Sequence, residues 1–273
     1  MSNLTKRTIT GVVFVLLLIA SIVINQYTFT ALFLIITILG LWEFYTLVEK
    51  AGIHPNKIAG IVAGAFLFIS NALIALGFAS VEILLFNFLF IFLIFLLELY
   101  RKIEQPFTNV SFTFFGLAYI AVPFALMNYL PDPTFSISGT YNYSLVLGFF
   151  FLIWINESGA FLVGTMLGKN KLFERVSPNK TWEGTLGGGV LCLLAAWVIG
   201  MFYKDLSPSN WLIVGVIVVI FSTYGDLFES LFKRSIKAKD SGRLLPGHGG
   251  ILDRFDGVLM ATPFVLVYLF WIS

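Results

Sequence analysis

The chain has 273 residues, 58% of them hydrophobic and 12% charged, with a mean hydropathy of +0.92 and a formal net charge of +2. That composition excludes a soluble globular domain and belongs to an all-α, polytopic integral membrane protein. The one cysteine, Cys192, lies in an apolar run, which excludes a disulfide framework or a zinc cluster and marks a small buried hydrophobe.

Nine apolar segments, at about 8–24, 28–47, 58–77, 82–99, 109–130, 143–167, 184–203, 210–229 and 256–272, approach the roughly 20 residues a bilayer-crossing helix needs. Helices are predicted because an open sheet would leave backbone groups unpaired in lipid. Lys6 and Arg7 precede the first segment without a small-residue cleavage site after it, so it reads as a span and not a removable leader. A tight turn at Asn25-Gln26 leads into the second, which carries Glu43 near one end. If the N-terminus is cytoplasmic and the spans alternate, every one of the 17 lysines and arginines except Lys204 falls on the inner side. The C-terminus is then outside. One transmembrane domain is expected over 1–273, with the motif-bearing half at about 150–273.

Glu157, in WINESGAF, is deep in the sixth span, where an acid is either functional or a structural pair-former. An inner loop, GKNKLFERVSPNKTWE, follows. Its Ser177-Pro178 predicts an N-cap with Pro at the first helical position, which would aim a helix N-terminus at an anion. Lys180 would then sit in the first turn, unfavourable for the helix dipole unless a phosphate neutralises it, with Thr181 beside it. Gly184, Gly187, Gly188 and Gly189 read as close helix packing.

The densest charge in the chain is SLFKRSIKAKDSGRLLPGHGGILDRFDG, residues 230–257. On the helix entering it, Ser222, Asp226, Ser230 and Lys233 share a face. On the helix leaving it, Asp253 and Asp256 project together at i, i+3. If those two helices pack side by side, Asp226, Asp253 and Asp256 converge near the inner interface, where oxygen ligands suit a hard divalent cation shared with substrate phosphates. Ion pairing of these acids with Lys233, Arg234 and Arg254 is the alternative. Between them, PGHGG places Gly249 and Gly250 where backbone N–H groups can cradle an anion, or simply turn the chain. His248 is a phosphate donor, a general acid/base or a bystander. Lys239 and Arg243 add positive charge. The cytoplasmic placement of both loops points to a cytoplasmic polyanion. No Walker A, HExxH or GxSxG motif is present, and the aromatic residues face lipid or core, so no nucleic-acid partner is expected.

The 230–257 segment resembles the signature of the phosphatidate cytidylyltransferase (CDP-diacylglycerol synthase) family. All its fixed positions are met, by Ser230, Phe232, Lys233, Arg234, Lys239, Asp240, Gly242, Leu245, Pro246, His248, Gly249, Gly250, Ile251, Asp253, Arg254, Phe255 and Asp256. Residues 177–184, SPNKTWEG, are similar to the family's Ser-Pro-Lys-Lys-Thr-x-Glu-Gly. Many relatives have Asp-Thr-Gly-Ala-Tyr where this chain has Glu157-Ser158-Gly159-Ala160-Phe161, which keeps the charge on a longer arm.

The resemblance implies conversion of CTP and phosphatidate to CDP-diacylglycerol and pyrophosphate in phospholipid biosynthesis, a homodimer, and dependence on Mg²⁺ bound by Asp226 and Asp253. Two divalent sites, or one divalent and one other cation, are expected, with Asp256 as a further ligand or a support. Lys233 and His248 join these acids as catalytic candidates. Ser177, Lys180, Thr181, Arg234, Lys239, Arg243, Gly249, Gly250 and Arg254 are expected to hold substrate phosphates. The site would face the cytoplasm from a bacterial inner membrane. Two other readings stand beside it: a CTP-dependent polyprenol or phytol kinase, which would transfer the γ-phosphoryl group, and an ion-coupled transporter.

Overall fold

The computed structural model describes residues 3–135, 140–238, 241–242 and 249–273. The expected calls at Lys239, Asp240, Arg243, Leu245, Pro246 and His248 lie outside the described residues. In chain order the helices are α1 (Asn3–Ile24), α2 (Gln26–Glu49), α3 (Lys57–Ala75), α4 (Leu85–Arg101), α5 (Pro106–Gly116), α6 (Val122–Leu126), α7 (Tyr143–Leu167), α8 (Trp182–Phe202), α9 (Pro208–Ser235) and α10 (Leu252–Ile272). Among the described residues, eight helical stretches are long and apolar enough to cross a membrane, with bounds within a few residues of those expected except at the C-terminal end of α9 and the N-terminal end of α10. The expected first span, 8–24, is the shorter apolar helix Thr8–Ile24. The protein is an all-α integral membrane protein, with one small hairpin among the described residues.

Short polar residues punctuate the helices. Asn25 caps α2 by accepting from Thr28 N at 2.9 Å while its own N–H donates to Thr28 Oγ1, a reciprocal box that explains the one-residue break between α1 and α2. Asn56 and Asn142 cap α3 and α7 in the same side-chain manner. The span Pro106–Tyr129 is not uniform: a single wide π turn, Leu117–Ala121, joins α5 to α6 just before Pro123, whose ring and missing N–H disrupt a regular helical ladder.

The chain forms two compact units, Met1–Tyr129 with Ser235–Arg254, and Leu130–Arg234 with Phe255–Ser273. In the first, Phe29, Phe33, Phe44, Tyr45, Phe68 and Phe124 are fully buried. The Tyr45 hydroxyl donates to Thr113 O at 2.8 Å, and a Cβ on Gly60 or Gly116 would strike the Tyr45 ring, so these glycines let α2, α3 and α5 approach around it. In the second, α7 and α8 lie against each other through small residues. A Cβ on Gly188 would strike Asn156 O and Ala160, and one on Gly184 would strike Ala160 O, as the close-packing reading of these glycines requires. The many exposed Leu, Phe and Val side chains, on α4 above all, suit a lipid surround.

The expected helix start at Ser177 is corrected. Ser177–Thr181 is strand β2, paired antiparallel with β1 (Lys171–Phe173), with Lys171 opposite Thr181. The helix begins one strand later, where extended Thr181 caps α8 and its Oγ1 accepts from Gly184 N at 3.1 Å. Glu183 explains the shift. Its carboxylate accepts from Lys169 N, Asn170 N and Asn170 Nδ2 at 3.0, 3.1 and 2.7 Å, which ties the first turn of α8 to the entry of β1. Lys180 therefore projects from a strand, and the dipole cost expected for it does not arise.

Candidate functional site

The second unit carries a cluster of acids. α9 contributes Asp226 and Glu229, one turn apart on one face, and α10 contributes Asp256. A Cβ on Gly225 would strike Asp256 O, so the two helices meet nearly backbone to backbone here. Each of the three carboxylates presents an oxygen, and these oxygens all lie within 4.8 Å of one another. Asp256 is 7% and Glu229 2% exposed, while Asp226 is half-buried. Like charges at that spacing repel by roughly 3 kcal/mol per pair at an effective dielectric of about 20. A hard, oxygen-seeking divalent cation removes that repulsion, so the donor set fits Mg²⁺.

Cations and hydroxyls surround the cluster. Lys180 Nζ is ion-paired with Asp226 Oδ2, and Lys233 Nζ lies 2.9 Å from Glu229 Oε2. Ser230 Oγ donates to Asp226 Oδ1 at 3.3 Å, and Asn156 Nδ2 donates to Ser222 Oγ at 3.0 Å. A cavity of about 480 Å³ opens over this face, lined by Asn156, Glu157, Lys180, Thr181, Ser222 and Asp226 among others. That volume falls in the range of small-ligand sites. Glu157 is exposed into it from the middle of a membrane helix, where a carboxylate needs a watered cavity or a charged ligand.

Of the three acids expected to converge, Asp226 and Asp256 come together, with Lys180, Lys233 and Thr181 near them, while Asp253 belongs to the first unit. Glu229 was missed. Its signal is in the sequence, three residues after Asp226 and four before Lys233, beside the face that carries Ser222, Asp226, Ser230 and Lys233. Ser177 starts β2 and does not line the cavity. Arg234 and Arg254 are exposed, in the last turn of α9 and the first turn of α10. Lys239, Arg243 and His248 are among the residues not described.

The first unit holds the start of α10 and the described ends of the signature loop. Asp253 Oδ2 accepts from Ser241 N, Ser241 Oγ and Gly250 N at 3.2, 2.8 and 2.9 Å. Gly249 has φ +87°, and a Cβ there would sit 2.6 Å from Asp253 Oδ2, so both its backbone and its lack of a side chain are used. The N–H of Gly250 is spent on Asp253 and not turned outward for an anion. Glu43 is 4% exposed and accepts hydrogen bonds from Ser241, Ile251 and Leu252.

The chain belongs to the cytidylyltransferase family, whose model matches residues 5–272. Similar curated proteins are the phosphatidate cytidylyltransferases of Staphylococcus haemolyticus and Staphylococcus saprophyticus, each 37% identical over 170 residues, and that of Staphylococcus aureus, 36% identical over 170 residues. Each match covers 62% of this chain and 62% of the relative.

Proposed function

We propose that this member of the cytidylyltransferase family transfers the cytidylyl group of CTP to phosphatidate, giving CDP-diacylglycerol and pyrophosphate. The observation that carries this reading is the juxtaposition of Asp226, Glu229 and Asp256 with Lys180 and Lys233 beside a cavity of nucleotide size. A phosphate oxygen of phosphatidate bonds to the α-phosphorus as the bond from that phosphorus to the bridging oxygen of the β-phosphate breaks, and pyrophosphate leaves with the electron pair. Such a transfer needs alignment and charge stabilisation more than covalent help. A phosphomonoester with a second pKa of about 6 is already mostly dianionic at neutral pH, so no strong general base is required.

Asp226, Glu229 and Asp256 hold Mg²⁺ in this reading, and Asp253 is a cation ligand as well. Mg²⁺ supplies charge neutralisation at the phosphate oxygens. Lys180 exchanges its pairing with Asp226 for a substrate phosphate, and Lys233, Arg234, Lys239, Arg243 and Arg254 orient the remaining phosphate charge with Thr181, Gly249 and His248. The charge distribution supports a cytoplasmic N-terminus and a cytoplasmic active site. A single transmembrane domain, a bacterial inner-membrane location and a homodimer complete the proposal.

The test is to give the purified full chain phosphatidate, Mg²⁺ and CTP labelled separately at the α- and γ-phosphates. Label from the α position is expected in lipid, with γ label in pyrophosphate. Label from the γ position in lipid, with CDP released, would make the protein a lipid kinase instead. Label from neither would remove the transferase reading.

A further inference from the structure

Glu43 lies in the last third of α2, and its side chain is almost wholly enclosed. A carboxylate in such a place is costly unless its lone pairs are filled. They are filled by one short stretch far along the chain. Oε1 accepts from Ser241 Oγ at 2.6 Å and from Leu252 N at 3.1 Å, and Oε2 accepts from Ile251 N at 3.1 Å. Leu252 opens α10, so these amides are among the donors at a helix start that have no partner within the helix. Glu43 does the work of an N-cap from a different helix, with a negative charge at the positive end of the dipole. The loop is shaped to admit it: a Cβ on Gly242 or on Gly250 would strike the Glu43 carboxylate.

Ser241 links this cap to Asp253. Its hydroxyl is 2.6 Å from Glu43 Oε1 and 2.8 Å from Asp253 Oδ2, and its one proton serves one of them at a time. Ser241 N and Gly250 N also donate to Asp253 Oδ2. We infer that Glu43 is a positioning residue, which caps the start of α10 and, through Ser241 and Gly250, sets the direction of the Asp253 carboxylate. The consequence for metal binding rests on the reading of Asp253 as a cation ligand. The cap itself does not.

The test compares the full-length wild type with Glu43→Ala, Glu43→Gln and Ser241→Ala in lipid nanodiscs, by amide hydrogen exchange over 249–254 and by Mn²⁺ titration followed by electron paramagnetic resonance. Glu43→Ala should speed exchange at Ile251 and Leu252 at least about tenfold, as loss of hydrogen bonds to a charged acceptor implies. It should also weaken Mn²⁺ binding by about 10- to 100-fold, the usual effect of removing a group that orients a ligand. Glu43→Gln keeps one acceptor oxygen and should fall between. Ser241→Ala should weaken Mn²⁺ binding while leaving exchange at Ile251 and Leu252 near wild type, because it cuts the link and spares the cap. Wild-type exchange at both amides in the Glu43 variants would overturn the inference. So would a fall in thermal stability with wild-type Mn²⁺ affinity in the folded fraction. If Glu43→Ala does not fold, Glu43→Gln and Ser241→Ala decide on the same readouts. A wild type that makes no lipid nucleotide would sink the proposed reaction, and the exchange result would still decide on Glu43.

Discussion

Glu43 in the first unit and the Asp226–Glu229–Asp256 group in the second are all carboxylates within membrane helices, and the chain treats them in opposite ways. Around Glu43 the surroundings are donors: two backbone amides and a hydroxyl converge on one carboxylate, and two glycines make room for it. Asp256 accepts one backbone bond, from Gly257 N at 2.7 Å, but its side-chain neighbours in the cluster are other acids, with lysines set on Asp226 and Glu229. A carboxylate saturated by fixed donors is satisfied by the fold and serves to hold chain in place. Acids gathered against one another are held at a cost that a bound cation relieves. The contrast separates an acid that holds chain in place from acids gathered as a candidate cation site.

The contrast breaks most readily at the cluster. Asp226→Asn and Asp256→Asn should each reduce the proposed cytidylyl transfer at saturating substrate by at least about a hundredfold, since each deletes a proposed metal ligand. Both proteins should remain folded in detergent, because removing one of several crowded like charges does not leave a hole. Wild-type rates in either variant would take that residue out of the chemistry.

Glu157 sharpens the comparison with a smaller expected effect. It is exposed into the cavity, and a Cβ on Gly257 would sit 3.1 Å from its Oε1, which places the carboxylate beside the α9–α10 seam. If its charge supports the site, Glu157→Gln should lose about tenfold or more in turnover, while Glu157→Asp stays within a few-fold of wild type. Steady-state kinetics of the two variants settle the order. Activity in the Gln variant equal to or above that of the Asp variant would move Glu157 into the class of structural acids represented by Glu43.

The smallest stability effect is expected at Lys180. Its pair with Asp226 is partly open to solvent, and such pairs contribute about 0–1 kcal/mol to folding. Lys180→Ala should therefore raise the KM for CTP or phosphatidate, or lower kcat, with the thermal midpoint nearly unchanged. Parallel losses of activity and stability would mean that Lys180 belongs to the fold and not to the substrate.

Much of this arrangement was legible before any coordinates. Hydropathy located the membrane helices because a bilayer rewards uninterrupted apolar runs of fixed length. The C-terminal end of α9 and the N-terminal end of α10 run past the expected limits because the signature's charged turns are helical too, and hydropathy marks lipid contact, not helix termination. The SPNKT stretch misled because Ser-Pro and Thr-Trp-Glu-Gly are both credible helix starts. The choice went to Thr181 through the bonds from residues 169 and 170 to Glu183, which no local pattern displays.

The sequence by itself determined that the protein is a helical membrane protein, that Ser222, Asp226, Ser230 and Lys233 share one helix face, and which family signature it carries. Those properties depend on composition and on spacing within single helices. Only the tertiary structure decided that Glu229 completes the cluster, that Asp253 Oδ2 is occupied by Ser241 and Gly250, and that Glu43 caps α10. Each depends on which side chain from a distant part of the chain arrives within hydrogen-bond reach, and neither helical periodicity nor local propensity encodes that meeting.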